Sequence, residues 1–168
     1  MIRTNRVEIP QTLEEACDPS RTALIVYDMQ VGILRQLKDG ATVTAKVVQV
    51  LRAAREAGIR VFFTRHLSLP KQLLGTFQLR MAMAWQRVSS VDDVRPWFLR
   101  DSPVAMEIGI EPTVRHGADL AYIPIVVTDA CGAGHREAAD RALATLRFIG
   151  DALFATTEEI CKTILRQR

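Results

Sequence analysis

The chain has 168 residues, 48% of them hydrophobic and 24% charged, with a formal net charge of +3. That length suits one domain with a sizeable core, expected here over residues 1–168. The small basic excess is scattered over arginines with no aromatic-interleaved stripe, which argues against a nucleic-acid partner, and no apolar run approaches a membrane span.

The N-terminal stretch MIRTNRVEIPQTLEEA lacks the apolar core of a signal peptide. Cys17, Cys131 and Cys161 are an odd set without metal-ligand spacing, and a reducing, cytoplasmic setting is expected. The first strand is TALIVYDM, residues 22–29, nearly all apolar, as a parallel strand buried on both faces should be. Residues 41–57 follow with Val43, Val47, Val50, Leu51 and Ala54 at helical spacing, and Gly58 stops them. IRVFFTR, residues 59–65, is a second buried strand, so the three elements form a βαβ unit.

The middle of the chain reads differently. Residues 67–101 contain no good strand; residues 73–88 read as a helix with Leu74, Phe77, Met81 and Trp85 on one stripe. Residues 91–103 read as a short helix broken at Pro96, then a loop, and PVAM, residues 103–106, is a very short strand candidate. The βα alternation then resumes. A helix spans Glu111 to Leu120 with Pro112 in its first turn, and a strand spans Ile123 to Ala130. A helix over 135–149 ends at Gly150, a strand covers Asp151 to Thr156, and a last helix closes the chain. The pattern predicts an α/β sandwich around a mainly parallel sheet.

Asp28 ends the first strand, where ligands bind in open α/β sheets and where an acid is suited to proton transfer. Capping of the following loop is the structural alternative. Gly109 begins the turn into the helix at 111, where backbone amides can hold an anion or developing charge, unless the glycine serves close packing. Glu107 either caps that helix or faces a pocket. His66 stands at the end of the second strand, Asp129 reads as structural, and Cys131 is either a reactive thiol or buried packing. Gly132 and Gly134 resemble a phosphate loop only loosely, because the Lys and Ser/Thr of such a loop are absent. Trp85, Trp97, Phe77 and Met81 belong to the core or to a subunit interface.

ALIVYDMQ, VFFTRH, VAMEIGIEPTVRHGADL and PIVVTDACGAGH, in that order, resemble the isochorismatase-like hydrolase superfamily, the cysteine hydrolases. The resemblance implies a three-layer αβα sandwich of Rossmann-like topology with a mainly parallel sheet. It implies a catalytic Asp at the first strand, matched by Asp28, a Lys from a third strand, and a nucleophilic Cys at the position of Gly109. It also implies a cis peptide at Val104–Ala105, and pocket residues Ile33, His66, Glu107 and Gly109. No lysine stands in a strand pattern between His66 and residue 102. Relative to the family, the chain lacks a few tens of residues at about position 103, and with them one or two strands of the sheet.

The expected activity is therefore hydrolysis of a small polar organic molecule with Asp28 as general acid/base and without a covalent Cys intermediate. The alternatives are an inactive binding or scaffold protein of the same fold, and a plain α/β module that binds an anion at Gly132–Gly134. No cofactor and no metal is expected, since His66 stands without the His/Asp cluster of a nicotinamidase-type site. A homo-oligomer, dimer or tetramer, is expected from the apolar stretch Phe77 to Phe98.

Overall fold

The computed structural model describes residues 1–4, 7–66, 69–95 and 106–167. Strands β1 (Ile2–Thr4) and β2 (Val7–Ile9) pair antiparallel, and helix α1 (Leu13–Ala16) follows. Strand β3 (Ala23–Val26) leads through the short helix α2 (Val31–Leu34) into α3 (Gly40–Glu56) and back to β4 (Arg60–Phe63), which pairs parallel with β3. Helix α4 (Thr76–Gln86) comes next. A π-helical turn, Met106–Ile110, then runs without interruption into α5 (Glu111–Asp119). Strand β5 (Ile125–Val127), helix α6 (Arg136–Ile149), strand β6 (Leu153–Ala155) and helix α7 (Thr157–Arg166) complete the chain, with β5 and β6 parallel.

The two βαβ units place their helices on opposite faces. In β5 and β6, Ile125, Val127 and Ala155 face a core made by Val50, Ala53 and Ala54 of α3 with Ile160 and Ile164 of α7. Leu24 and Val61 of β3 and β4 join that same core. Val126 and Phe154 point the other way, onto Ala139 and Leu146 of α6 and onto Met106. Alternate side chains of a strand serve opposite faces, so this pattern defines helical layers on both sides of the strands. The expected α/β architecture with parallel pairing is present.

The local signals that define the elements are ordinary ones. Thr156 and Glu159 form a reciprocal capping box at the start of α7. Gly150 closes α6 at φ +85° and Gly58 closes α3 at φ +72°, a conformation that costs glycine nothing. Gly40 is required by approach instead: a Cβ there would lie 2.2 Å from the carbonyl oxygen of Leu34.

Several expectations are corrected. Among the described residues the parallel strands form two separate pairs, β3–β4 and β5–β6, with no ladder between them. The strands at 22–29 and 59–65 are not buried on both faces: Ile25 and its registered partner Phe62 are 52% and 55% exposed. Helix α4 is shorter than residues 73–88, and Phe77 and Trp85 are exposed rather than core. Met106, the last residue of the candidate strand PVAM, is in the π-helical turn, while residues 103–105 lie outside the described residues. The Val104–Ala105 peptide and Trp97 lie outside them too. No described helix is long and apolar enough to cross a membrane.

The unequal covering of the two pairs predicts unequal mutational costs. Leu146→Ala, at a side chain with no exposed surface, should cost about 2–5 kcal/mol in urea unfolding. Phe62→Ser should cost under about 1 kcal/mol, because half the ring is already in water. A cost for Phe62→Ser equal to that of Leu146→Ala would show that the face is covered.

Candidate functional site

Beyond its last ladder bond, β3 is tied to β4 by side chains. Asp28 takes φ +46°, a left-handed conformation that costs a residue with a Cβ about 1–2 kcal/mol. Two bonds to one hydroxyl hold it there: the Asp28 N–H donates to Thr64 Oγ1 at 3.0 Å, and that hydroxyl donates to Asp28 Oδ1 at 2.6 Å. The Gln30 N–H also donates to the Asp28 carbonyl at 2.7 Å. Two residues on, the Gln30 amide bonds the His66 backbone in both directions, accepting at 2.8 Å and donating at 3.3 Å. The motifs DMQ and TRH are thus two strand ends clasped together, and Asp28, only 6% exposed, is aimed by the clasp.

Asp28 opens into a cleft of about 40 Å³ lined by Tyr27, Met29, Ile33, Leu37, Ile110 and Gly132 among others. The cleft lies between the carboxyl ends of β3 and β5, whose crossover helices α3 and α6 pack on opposite faces. Such a switch point leaves a crevice in which open α/β sheets bind their ligands. The volume holds a few water molecules and is well under the roughly 300–1,000 Å³ of common ligand sites.

The π-helical turn forms one wall. The Met106 N–H donates to the Gly132 carbonyl at 2.9 Å, and the Met106 side chain is 2% exposed against Val126. Gly109 is buried under the ring of Tyr27, and Thr113 donates back to the Gly109 carbonyl at 2.8 Å. Because the π turn continues into α5, Gly109 stands inside a helical segment rather than before one. Gly132 is buried beneath Leu37, its carbonyl accepts from Met106, and a Cβ there would meet the Leu37 side chain.

The other polar groups near β5 are structural. Asp129 accepts from Lys46 Nζ at 2.7 Å through Oδ2, and from the Thr157 N–H at 2.7 Å and hydroxyl at 2.9 Å through Oδ1. Burial pushes its carboxyl up, but the Lys46 and Thr157 hydrogen bonds outweigh burial and hold it below the usual range. Lys71 bonds the Asp92 carbonyl and lies 3.8 Å from its carboxylate. Among the described residues no ion pair reaches Asp28. Burial, with the Asp129 charge second, pushes the Cys131 thiol up to about 12, and its Sγ lies 3.3 Å from the Val127 carbonyl. Burial pushes Cys17 up to about 11 and raises Cys161 as well. Among the described residues no cluster of three or more His, Cys, Asp or Glu side chains could hold a metal.

Of the residues singled out in the sequence, Asp28 and Ile33 line the cleft, and Gly109 backs Tyr27 at its wall. His66 is held through its backbone and is not among the lining residues, and Glu107 belongs to the π turn. Tyr27, Gln30, Thr64 and Leu37 escaped the sequence reading. Thr64 and Gln30 carried a signal, being the polar residues that directly follow two apolar strands; Tyr27 and Leu37 carried none, since apolar and aromatic positions look alike before they are placed.

Two outcomes follow from this geometry. Ellman's reagent at pH 8 should leave Cys17 and Cys131 unmodified in the native protein and label them on unfolding, because at pH 8 the thiolate of each is scarce. Asp129→Ala should cost about 2 kcal/mol at pH 7, the worth of charged hydrogen bonds. The Asp129 contribution is complete above the unfolded carboxylate value of about 4 and is lost as pH falls through its lower folded value. Parent and variant should therefore converge in urea midpoint as pH falls below the ordinary carboxylate range; a gap that widens there would contradict the assignment.

Comparison with known proteins agrees with this arrangement. A family model described as "Isochorismatase domain" matches residues 22–106, half the chain, from the start of β3 to the π-helical turn. A cysteine hydrolase from Pseudomonas syringae pv. phaseolicola 1448A is similar in fold, with a TM-score of 0.69 at 18% identity over 91% of this chain and 96% of that one. No curated protein matches. The Asp-bearing strand end and its clasp to the second strand thus lie within one recognised unit, which reaches the first residue of the π turn, and the chain belongs to the isochorismatase family.

Proposed function

We propose that this chain is a hydrolase of the non-covalent kind, acting on a small polar organic molecule with Asp28 as general acid. One observation carries the reading: a buried carboxylate is held at a strained φ by a single threonine hydroxyl at the mouth of the switch-point cleft. Strain of this sort persists where surrounding structure over-determines it, and it concentrates at working sites. Thr64 occupies Oδ1, while Oδ2 has no hydrogen-bond partner among the described residues and is the atom to deliver a proton. With a vinyl ether, protonation at carbon gives an oxocarbenium ion. Water then adds, and the hemiketal breaks down to an alcohol and a ketone.

The thiol chemistry supports the same side of the family's repertoire. Position 109 is glycine, Cys131 beside the cleft is kept protonated by burial, and a thioester intermediate needs a thiolate. A second reading, a binding or scaffold protein of the same fold, is favoured by the narrowness of the cleft and by the pairing of Lys46 and Lys71 elsewhere. The exposed Phe77 and Trp85 of α4 also support a homo-oligomer in this proposal, and light scattering at the mass of a monomer would refute that part.

Turnover of isochorismate as a vinyl ether, with nicotinamide and an N-carbamoyl amine as amide controls, separates the readings. Asp28→Asn should lower the vinyl-ether rate by roughly 100-fold or more while leaving the melting temperature within a few degrees. No turnover by the parent protein on any of the three would favour the binding reading.

A further inference from the structure

Gly109 poses a question that its backbone does not answer. Its φ is not positive, and it sits in a helical segment that glycine weakens. What requires glycine is room. A Cβ at position 109 would lie 2.8 Å from Tyr27 Cε1, 2.9 Å from its hydroxyl oxygen and 3.2 Å from Cζ. Two of these distances are shorter than side chains tolerate, so the ring edge of Tyr27 stands in the volume that any larger residue at 109 would need.

We infer that Tyr27 determines the reaction class of this site: its ring fills the place of a nucleophile at position 109 and puts a phenol hydroxyl there, beside the cleft that holds Asp28. Tyr27 directly precedes Asp28, so the clasp that aims the acid also fixes the main chain from which the ring projects. The hydroxyl has no hydrogen-bond partner among the described residues, and Tyr27 lines the cleft. A ligand oxygen entering the cleft therefore meets a donor where a covalent enzyme would present a thiolate. The consequence for turnover rests on the Asp28 reading; the steric pairing of Tyr27 with Gly109 does not.

The test uses the whole chain and needs no substrate. Gly109→Cys, Tyr27→Ala and Tyr27→Phe are made singly, and each Tyr27 change is combined with Gly109→Cys. Alkylation of the introduced thiol by iodoacetamide at pH 8 is followed by peptide mass mapping, and melting temperatures are recorded. In Gly109→Cys alone, and in its combination with Tyr27→Phe, the new thiol should react at least tenfold more slowly than in its combination with Tyr27→Ala. Gly109→Cys should lower the melting temperature, and Tyr27→Ala with Gly109→Cys should lose less than the two single changes summed. Equal alkylation rates with and without the Tyr27→Ala change, or additive losses, would overturn the pairing. Should Gly109→Cys fail to fold, Gly109→Ala takes its place in the melting cycle, where additivity again refutes it. None of these outcomes depends on turnover, so a failed activity assay with Asp28→Asn leaves the pairing standing, and the reverse holds too.

Discussion

Two parallel strand pairs, which share no hydrogen-bonded ladder among the described residues, rest on one helical floor, α3 packed on α7. Leu24 and Val61 reach it from one pair, and Ile125, Val127 and Ala155 from the other, around Val50, Ala53, Ala54, Ile160 and Ile164. In a continuous sheet, backbone bonds would set the spacing of the strands. Among the described residues apolar contact joins the two pairs, and contact is not directional. The Asp129 carboxylate supplies the missing direction, since one side chain joins Lys46 on α3 to the first residue of α7.

That geometry explains why the site lies where it does. The helices of the two units lie on opposite faces, so the strand ends diverge at β3 and β5 and leave a crevice. The π-helical turn closes one side of it, anchored by the Met106 N–H on Gly132 and by Gly109 under Tyr27. Glycine is needed at 109 and at 132 because a side chain from the opposite element occupies the space of a Cβ, Tyr27 in one case and Leu37 in the other. The cleft is narrow for the same reason.

The family comparison and the site geometry bear on different links of the argument. The match over residues 22–106 establishes membership, and the structural likeness at 18% identity concerns the fold. Chemistry has to come from the side chains present. The proposal of hydrolysis without a covalent intermediate draws its support from the glycine at position 109 and from thiols whose values burial raises. Lys46 and Lys71 serve other carboxylates, so a cation beside Asp28 is not part of the described site.

Sequence alone determined the larger strands and helices from β3 onward, though neither α2 nor the π turn, because helical spacing in α3 and α6, apolar runs in the strands and terminating glycines at 58 and 150 are local signals. It also placed Asp28 just beyond a strand end, since an acid after an apolar run marks one. Tertiary structure decided what those signals leave free. Apolar strands look the same whether one face or two are covered, so only packing revealed that Ile25 and Phe62 stand in water. The short β1–β2 ribbon and α1 offered too few residues for a period to show. The clasp of Asp28 by Thr64 spans 36 residues, and the fit of Tyr27 to Gly109 spans more than twice that. Neither has a spacing in the chain, because both exist only once the strand ends and the π turn are brought to one place.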